Sequence, residues 1–228
     1  MLTKQKKLSR KEIKEDKLVE YYYKSQSFFE ENKNKVLMYA GILAAVIVAI
    51  YFYTDYRASQ NTKADALLGN IMEVYDSGSY LEAIEGRKET KVLGLKQIVA
   101  DYGSTENGET AKIYLANSYL SLGKTDEALK YYEDYSGSLD IFKSAALAGQ
   151  ASIISSKNEY GKAADLYMKA SKISKTNSMN ADYILQAAIN YFDAGDKEQA
   201  KTLLQTIRDD YKTSTAFAQV DKYLSQLN

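Results

Sequence analysis

Residues 36–53, VLMYAGILAAVIVAIYFY, run for eighteen positions without a charge. At 1.5 Å rise per residue a helix of that length spans roughly 27 Å, close to the ~30 Å hydrocarbon core of a bilayer. Inside hydrocarbon every backbone N–H and C=O must be satisfied within the segment, so a helix is the state such a run can adopt. Lys33 and Lys35 bound it on one side, Asp55 and Arg57 on the other. Tyr39 near its start and Tyr51, Phe52, Tyr53 and Tyr56 at its end sit where interfacial aromatic belts sit. The run is therefore expected to be a membrane span rather than the buried core helix of a soluble protein. Tyrosines occupy the places where small cleavage-site residues would be needed, and thirty-five residues precede the run. An uncleaved signal-anchor is expected in place of a removed signal peptide.

Orientation follows Lys and Arg close to the span. Residues 1–35 carry ten Lys/Arg and six Asp/Glu, and Lys17, Lys24, Lys33 and Lys35 lie within twenty residues of the run; on the far side only Arg57 and Lys63 do. The N-terminus is expected in the cytoplasm and residues 54–228 outside it. That gives three parts: a basic tail and juxtamembrane helix (1–35), the span (36–53) and an extracytoplasmic domain (54–228).

Subtracting the tail leaves twenty basic and twenty-four acidic residues, a mild net of −4 for the rest. A surface that tracks phosphates needs the opposite sign, so nucleic acid is not expected as a partner. With no cysteine there are no disulfides or thiolate ligands, and with no histidine the commonest general base and metal ligand is missing. No glycine-rich phosphate loop is present. The expected protein is not an enzyme and takes no cofactor, metal or small-molecule substrate. Proline is also absent, so helix can run almost anywhere.

Before the span, Ser9 and Glu12 form a capping-box pattern. Ile13, Leu18, Tyr21, Tyr22, Phe28 and Phe29 recur near helical spacing, and Glu20–Lys24 and Glu31–Lys35 are favourable i,i+4 pairs. This helix suits either the inner leaflet or a cytoplasmic partner. Within the span Gly41, Ala45 and Ala49 share one face, where small residues let two membrane helices approach.

After the span the pattern repeats. Leu115, Ala116, Tyr119, Gly123, Ala128 and Tyr132 recur thirty-five residues later as Gln150, Ala151, Ile154, Asn158, Ala163 and Tyr167. They recur again thirty-seven further on, with Ala188, Tyr191, Gly195, Ala200 and Leu204. Ile71, Val74, Gly78, Tyr80 and Ala83 make a partial earlier copy, which loses register around GRKETK. The pattern resembles the tetratricopeptide repeat, a helix–turn–helix unit of about thirty-four residues, though its Trp and closing Pro are missing here. The resemblance implies an all-α solenoid of about four helical pairs. Residues 214–227, with Ala216, Phe217, Val220, Leu224 and Leu227 on one face, would form a C-terminal capping helix.

In that family the fifth, ninth and twelfth positions of each first helix line the concave face. In the first two copies these are Leu68, Met72 and Tyr75, then Ile113, Asn117 and Leu120. In the last two they are Ala148, Ser152 and Ser155, then Leu185, Ile189 and Phe192. Asn117 matches the family's carboxylate clamp, but Ile113 stands where its Lys would be. A mostly apolar groove is implied, suited to unfolded segments or a partner's helix.

The whole layout, together with KEIKEDKLVEYYYKSQSFFEENKNK leading into the span, resembles the ancillary subunit of the bacterial Sec translocon. That resemblance implies an inner-membrane protein with a periplasmic domain. Its implied partners are translocon subunits, a membrane-anchored prolyl isomerase and unfolded envelope clients. A scaffold for another envelope complex, in outer-membrane assembly or cell division, is the alternative reading.

Overall fold

The computed structural model describes residues 10–227, with side chains from Lys17 onward except Leu18. The Ser9–Glu12 cap and the side chains of Ile13 and Leu18 lie outside the described residues. Helix α1 (Arg10–Asp76) is a single helix of 67 residues. No proline interrupts it and its only glycines are Gly41 and Gly69, so no residue in it stops propagation. It merges what the sequence divides into a juxtamembrane helix, a span and the first repeat helix. It contains an eighteen-residue window of mean hydropathy 2.3, none of which is buried. A core helix of a soluble domain would bury such a window; this one leaves Leu43, Ile47 and Ile50 open. The chain divides into two compact units, one ending at Tyr56 and the other running from Arg57 to Asn228.

In the first unit, α1 passes through Lys35 without a break. Lys24 meets Glu20 at 2.6 Å, the i,i+4 pair read from the sequence. Gly41, Ala45 and Ala49 are all exposed.

The second unit is a stack of four helical pairs. Residues 57–76 of α1 form the first helix of the first pair. Its second half is split into α2 (Tyr80–Glu85) and α3 (Leu95–Tyr102) by a hairpin, β1 (Gly86–Arg87) against β2 (Val92–Leu93). Gly86 pairs with Leu93 and Arg87 with Val92 in antiparallel register. These are the only strands among the described residues, and they are the stretch in which the partial repeat loses register. Then follow α4 (Glu106–Ser121) with α5 (Thr125–Glu133), α6 (Asp140–Ser156) with α7 (Tyr160–Lys172), and α8 (Asn180–Asp193) with α9 (Lys197–Asp210).

The last three pairs each close on a small residue from each side. Ala116 and Ala128, Ala151 and Ala163, and Ala188 and Ala200 are all buried to 1% exposure or less. Without bulk at these positions the two backbones approach closely. The turns repeat as faithfully. Gly78, Gly123 and Gly195 have φ of 77°, 72° and 85°, and Asn158 takes the same place at 63°. Around Gly123, the Gly123 amide donates to the Leu120 carbonyl (3.0 Å) and the Lys124 amide to the Tyr119 carbonyl (2.9 Å). This is the Schellman pattern, which satisfies helix-end carbonyls through one left-handed residue. The other three turns reproduce it.

The C-terminal cap differs from the expected continuous helix. It is a 3₁₀ turn (Phe217–Gln219) followed by the short α10 (Val220–Leu224). Ala216 and Val220 are buried against Leu204 and Ile207, as their spacing implies. Phe217 is not: the tighter 3₁₀ turn rotates it outward, to 39% exposure.

Candidate protein-binding face

The first helices of the pairs carry the residues expected to line a groove, and burial divides them. Leu68, Ile113 and Leu185 are 7%, 2% and 1% exposed. They are core residues, and the reading of them as groove lining is corrected. Leu68 and Ile113 pack in the cluster of the first two pairs, and Leu185 packs with Leu204 and Ile207. Met72, Tyr75, Asn117, Leu120, Ala148, Ser155, Ile189 and Phe192 are half-buried and Ser152 is exposed, so these reach the surface.

Two aromatic residues that position-counting missed belong to the same surface. The Tyr75 ring stands edge-on to Tyr114 at 5.0 Å between centroids, and Tyr114 edge-on to Phe142 at 6.1 Å. Tyr80 adds a further edge contact to Tyr75 at 5.6 Å. Together they form a half-buried row across the first three pairs. The only sequence signal for Tyr114 is that it follows Ile113: one residue turns a helix by about 100°, enough to exchange a core position for a surface one.

Asn117 sits at the centre of this row. Its side-chain amide donates to the Tyr75 hydroxyl at 3.3 Å, and its carbonyl oxygen accepts from the Tyr132 hydroxyl at 2.5 Å. An amide has two N–H donors and two acceptor lone pairs, so one donor remains. Both ends of Asn117 are held by tyrosines of its own chain rather than poised as a free carboxylate clamp. Burial pushes the Tyr132 phenol well above the usual tyrosine range, so it remains a donor. Its ring lies on α6 where Gly149 leaves space; a Cβ there would stand 2.3 Å from the ring. The Gln150 side chain donates to the Tyr132 carbonyl at 3.2 Å.

A charged lock fixes the α5–α6 loop at the start of α4. The Lys112 ammonium meets Glu109 at 2.9 Å and Asp134 at 2.8 Å. Glu109 accepts from the Ser136 amide (2.8 Å) and hydroxyl (2.9 Å). Glu106 accepts from the Ser138 amide (3.0 Å) and hydroxyl (2.7 Å) and from the Leu139 amide (3.3 Å). Burial pushes the Glu106 carboxyl up, but the Ser138 hydroxyl and the Ser138 and Leu139 amides outweigh it, and the group is held below the usual glutamate range. Burial likewise disfavours the Lys112 charge, and its bonds to Asp134 and Glu109 more than restore it. The Tyr135 phenol is pushed up to about 12, by burial first and then by the charges of Glu106 and Glu109.

Among the described residues no group of three or more His, Cys, Asp or Glu could hold a metal ion. The surface offers aromatic faces, phenol hydroxyls and one amide donor, which is chemistry for holding a peptide.

Comparison with protein families agrees with this geometry. A model described as tetratricopeptide repeat matches residues 111–136 and 182–214. The chain carries tetratricopeptide repeats. The two matches fall on the α4/α5 and α8/α9 pairs, and the intervening α6/α7 pair buries its alanines and turns its backbone in the same way. Such repeats are a scaffold for protein–protein interaction. No curated protein and no solved structure matches the chain.

Proposed function

We propose that this chain is a single-pass protein of the bacterial inner membrane, N-terminus in the cytoplasm, whose repeats bind proteins outside it beside the Sec translocon. What carries this reading is the joining, in one chain, of a bilayer-length apolar helix to repeats with an aromatic, half-buried face. Emerging envelope polypeptides are the clients: extended segments rich in apolar side chains find stacking partners in Tyr75, Tyr114 and Phe142, and backbone amides find acceptors in the phenols. Met72, Leu120, Ile189 and Phe192 extend the apolar surface. Gly41, Ala45 and Ala49 give the span a flat side for a channel subunit, and a membrane-anchored prolyl isomerase is the partner expected on the outside. The activity is binding, without turnover.

The test uses the absence of native cysteine. A photo-crosslinker attached at Gly41→Cys in native membranes should yield an adduct with a channel subunit. A second one at Tyr114→Cys should capture secreted chains during their export. Capture instead of one stoichiometric folded partner from outer-membrane assembly or cell division, at both sites, would replace this reading with the general scaffold.

A further inference from the structure

Helix α1 ends on an acid. Glu73 and Asp76 fall in its last turn, and no basic residue accompanies them. The carbonyl end of a helix is the negative end of its dipole, where a cation is favoured and a carboxylate is not. Asp76 is exposed. Other exposed acids of the repeats have partners: Lys96 meets Glu85, Lys143 meets Asp140 and Lys157 meets Asp126. Among the described residues no lysine or arginine pairs with Asp76.

This carboxylate lies beside the aromatic row. Burial pushes the Tyr114 phenol up, and the charge of Asp76 adds to it from α1 to α4. Burial likewise raises Tyr75 against its hydrogen bond with Asn117, and Asp76 again acts upward. The Tyr75 ring stands at 73° to Tyr80 and at 76° to Tyr114. Crossed rings make corners, with flat faces for a hydrocarbon stem and π density for a charged head. Other tyrosines of the chain already carry a cation. Lys124 lies over Tyr119 at 5.8 Å, Lys130 over Tyr131 at 6.0 Å and Lys222 over Tyr223 at 5.2 Å. Among the described residues no cation stands over Tyr75, Tyr80 or Tyr114. Vacant ring faces, an unpaired carboxylate and the negative end of a helix meet at one place, and all three favour the same occupant.

We infer that Tyr75, Tyr80, Tyr114 and Asp76 form a subsite for a lysine or arginine side chain of a bound polypeptide. The inference rests on the reading of this face as a peptide-binding surface, and it names the residue that the face selects. The methylene stem lies along the rings, and the charged head reaches Asp76 and the end of α1. An apolar side chain would satisfy the rings but leave the carboxylate alone, and an acidic one would be repelled by it. The bound segment is apolar with a basic residue inside it. Arginine fits better than lysine, because its planar, weakly hydrated head stacks on a ring and pairs with a carboxylate.

The test measures binding of labelled synthetic peptides to the full-length protein in detergent, by fluorescence anisotropy. Three peptides share one apolar sequence and differ at a single central position, which is arginine, citrulline or glutamate. Citrulline keeps the shape of arginine without its charge. The arginine peptide should bind roughly tenfold tighter than the citrulline peptide, from a cation–π contact and an exposed ion pair together. The glutamate peptide should bind most weakly. Asp76→Asn should bring the arginine and citrulline affinities together. Tyr114→Leu, which keeps apolar bulk and removes the ring, should narrow the same gap. Asp210→Asn makes the same charge change on α9 and should leave the gap as it is. Equal binding of arginine and citrulline peptides, or an arginine advantage that survives Asp76→Asn, would overturn the subsite while the peptide-binding face stands. A protein that binds none of the three peptides would overturn the face as well.

Discussion

Asn158 occupies the left-handed position that Gly78, Gly123 and Gly195 fill in the other turns. Asparagine tolerates this conformation better than other residues with a Cβ, but glycine tolerates it at no steric cost. A Cβ at Gly123 would meet nothing within 4 Å, so its substitution isolates the backbone term. Gly123→Ala is expected to destabilise the repeats by about 1–2 kcal/mol, whereas Asn158→Gly should leave them unchanged or slightly more stable. Denaturant midpoints of the purified protein in detergent would show the difference. At Asn117 the cost is of another kind. Asn117→Ala strips the nearly buried Tyr132 hydroxyl of its acceptor and should cost about 1–3 kcal/mol. In the Asn117→Ala background, Tyr132→Phe should recover part of that loss, because no orphaned hydroxyl remains; a double variant weaker than the single one would contradict this account.

The α5–α6 loop is held to α4 by carboxylates. Glu106 titrates lower in the folded protein than in the unfolded chain. Its contribution is therefore complete above the ordinary glutamate pKa of about 4.3 and fades as pH falls through the lower folded value. Hydrogen exchange at the Ser138 and Leu139 amides should accelerate across that acidic window, and Glu106→Gln should make it fast already at neutral pH. Elements of this kind were only partly legible in the sequence. The pairs and their turns were readable because Ala116, Ala151 and Ala188, and Gly123, Asn158 and Gly195, recur at fixed separation, each under a separate steric demand. The β1–β2 hairpin was not, because two-residue strands are too short to show alternation. Tyr114 and Phe142 were missed because counting along a motif assigns whole positions, while a face is set by helix rotation. That same shift placed Leu68, Ile113 and Leu185 on the surface when they belong to the core. The Glu106–Ser138 lock links residues 32 apart in sequence and follows no local pattern.

At the scale of the molecule, the unit from Arg57 onward contains its own cores and needs no disulfide. Residues 57–228 expressed alone should be soluble and helical, with the tyrosine environment of the full protein, by circular dichroism in the far and near ultraviolet. Its interior is not one continuous block. Leu68, Ile71, Ile84, Leu95 and Ile113 pack together and reach α6 through Ala146 and Ile153. From α6 itself, Ala151 joins Tyr167 and Tyr183 on the other side, and beyond them Ala181, Leu185 and Leu204 form a further cluster. Helix α6 is thus a party wall, with one set of side chains facing each tenant. Stacked repeats couple only to their neighbours, so heating should melt the rooms on either side of that wall at separate temperatures. A bound polypeptide that bridges the wall would act as a splint, and its arrival would be visible as two melting steps fusing into one.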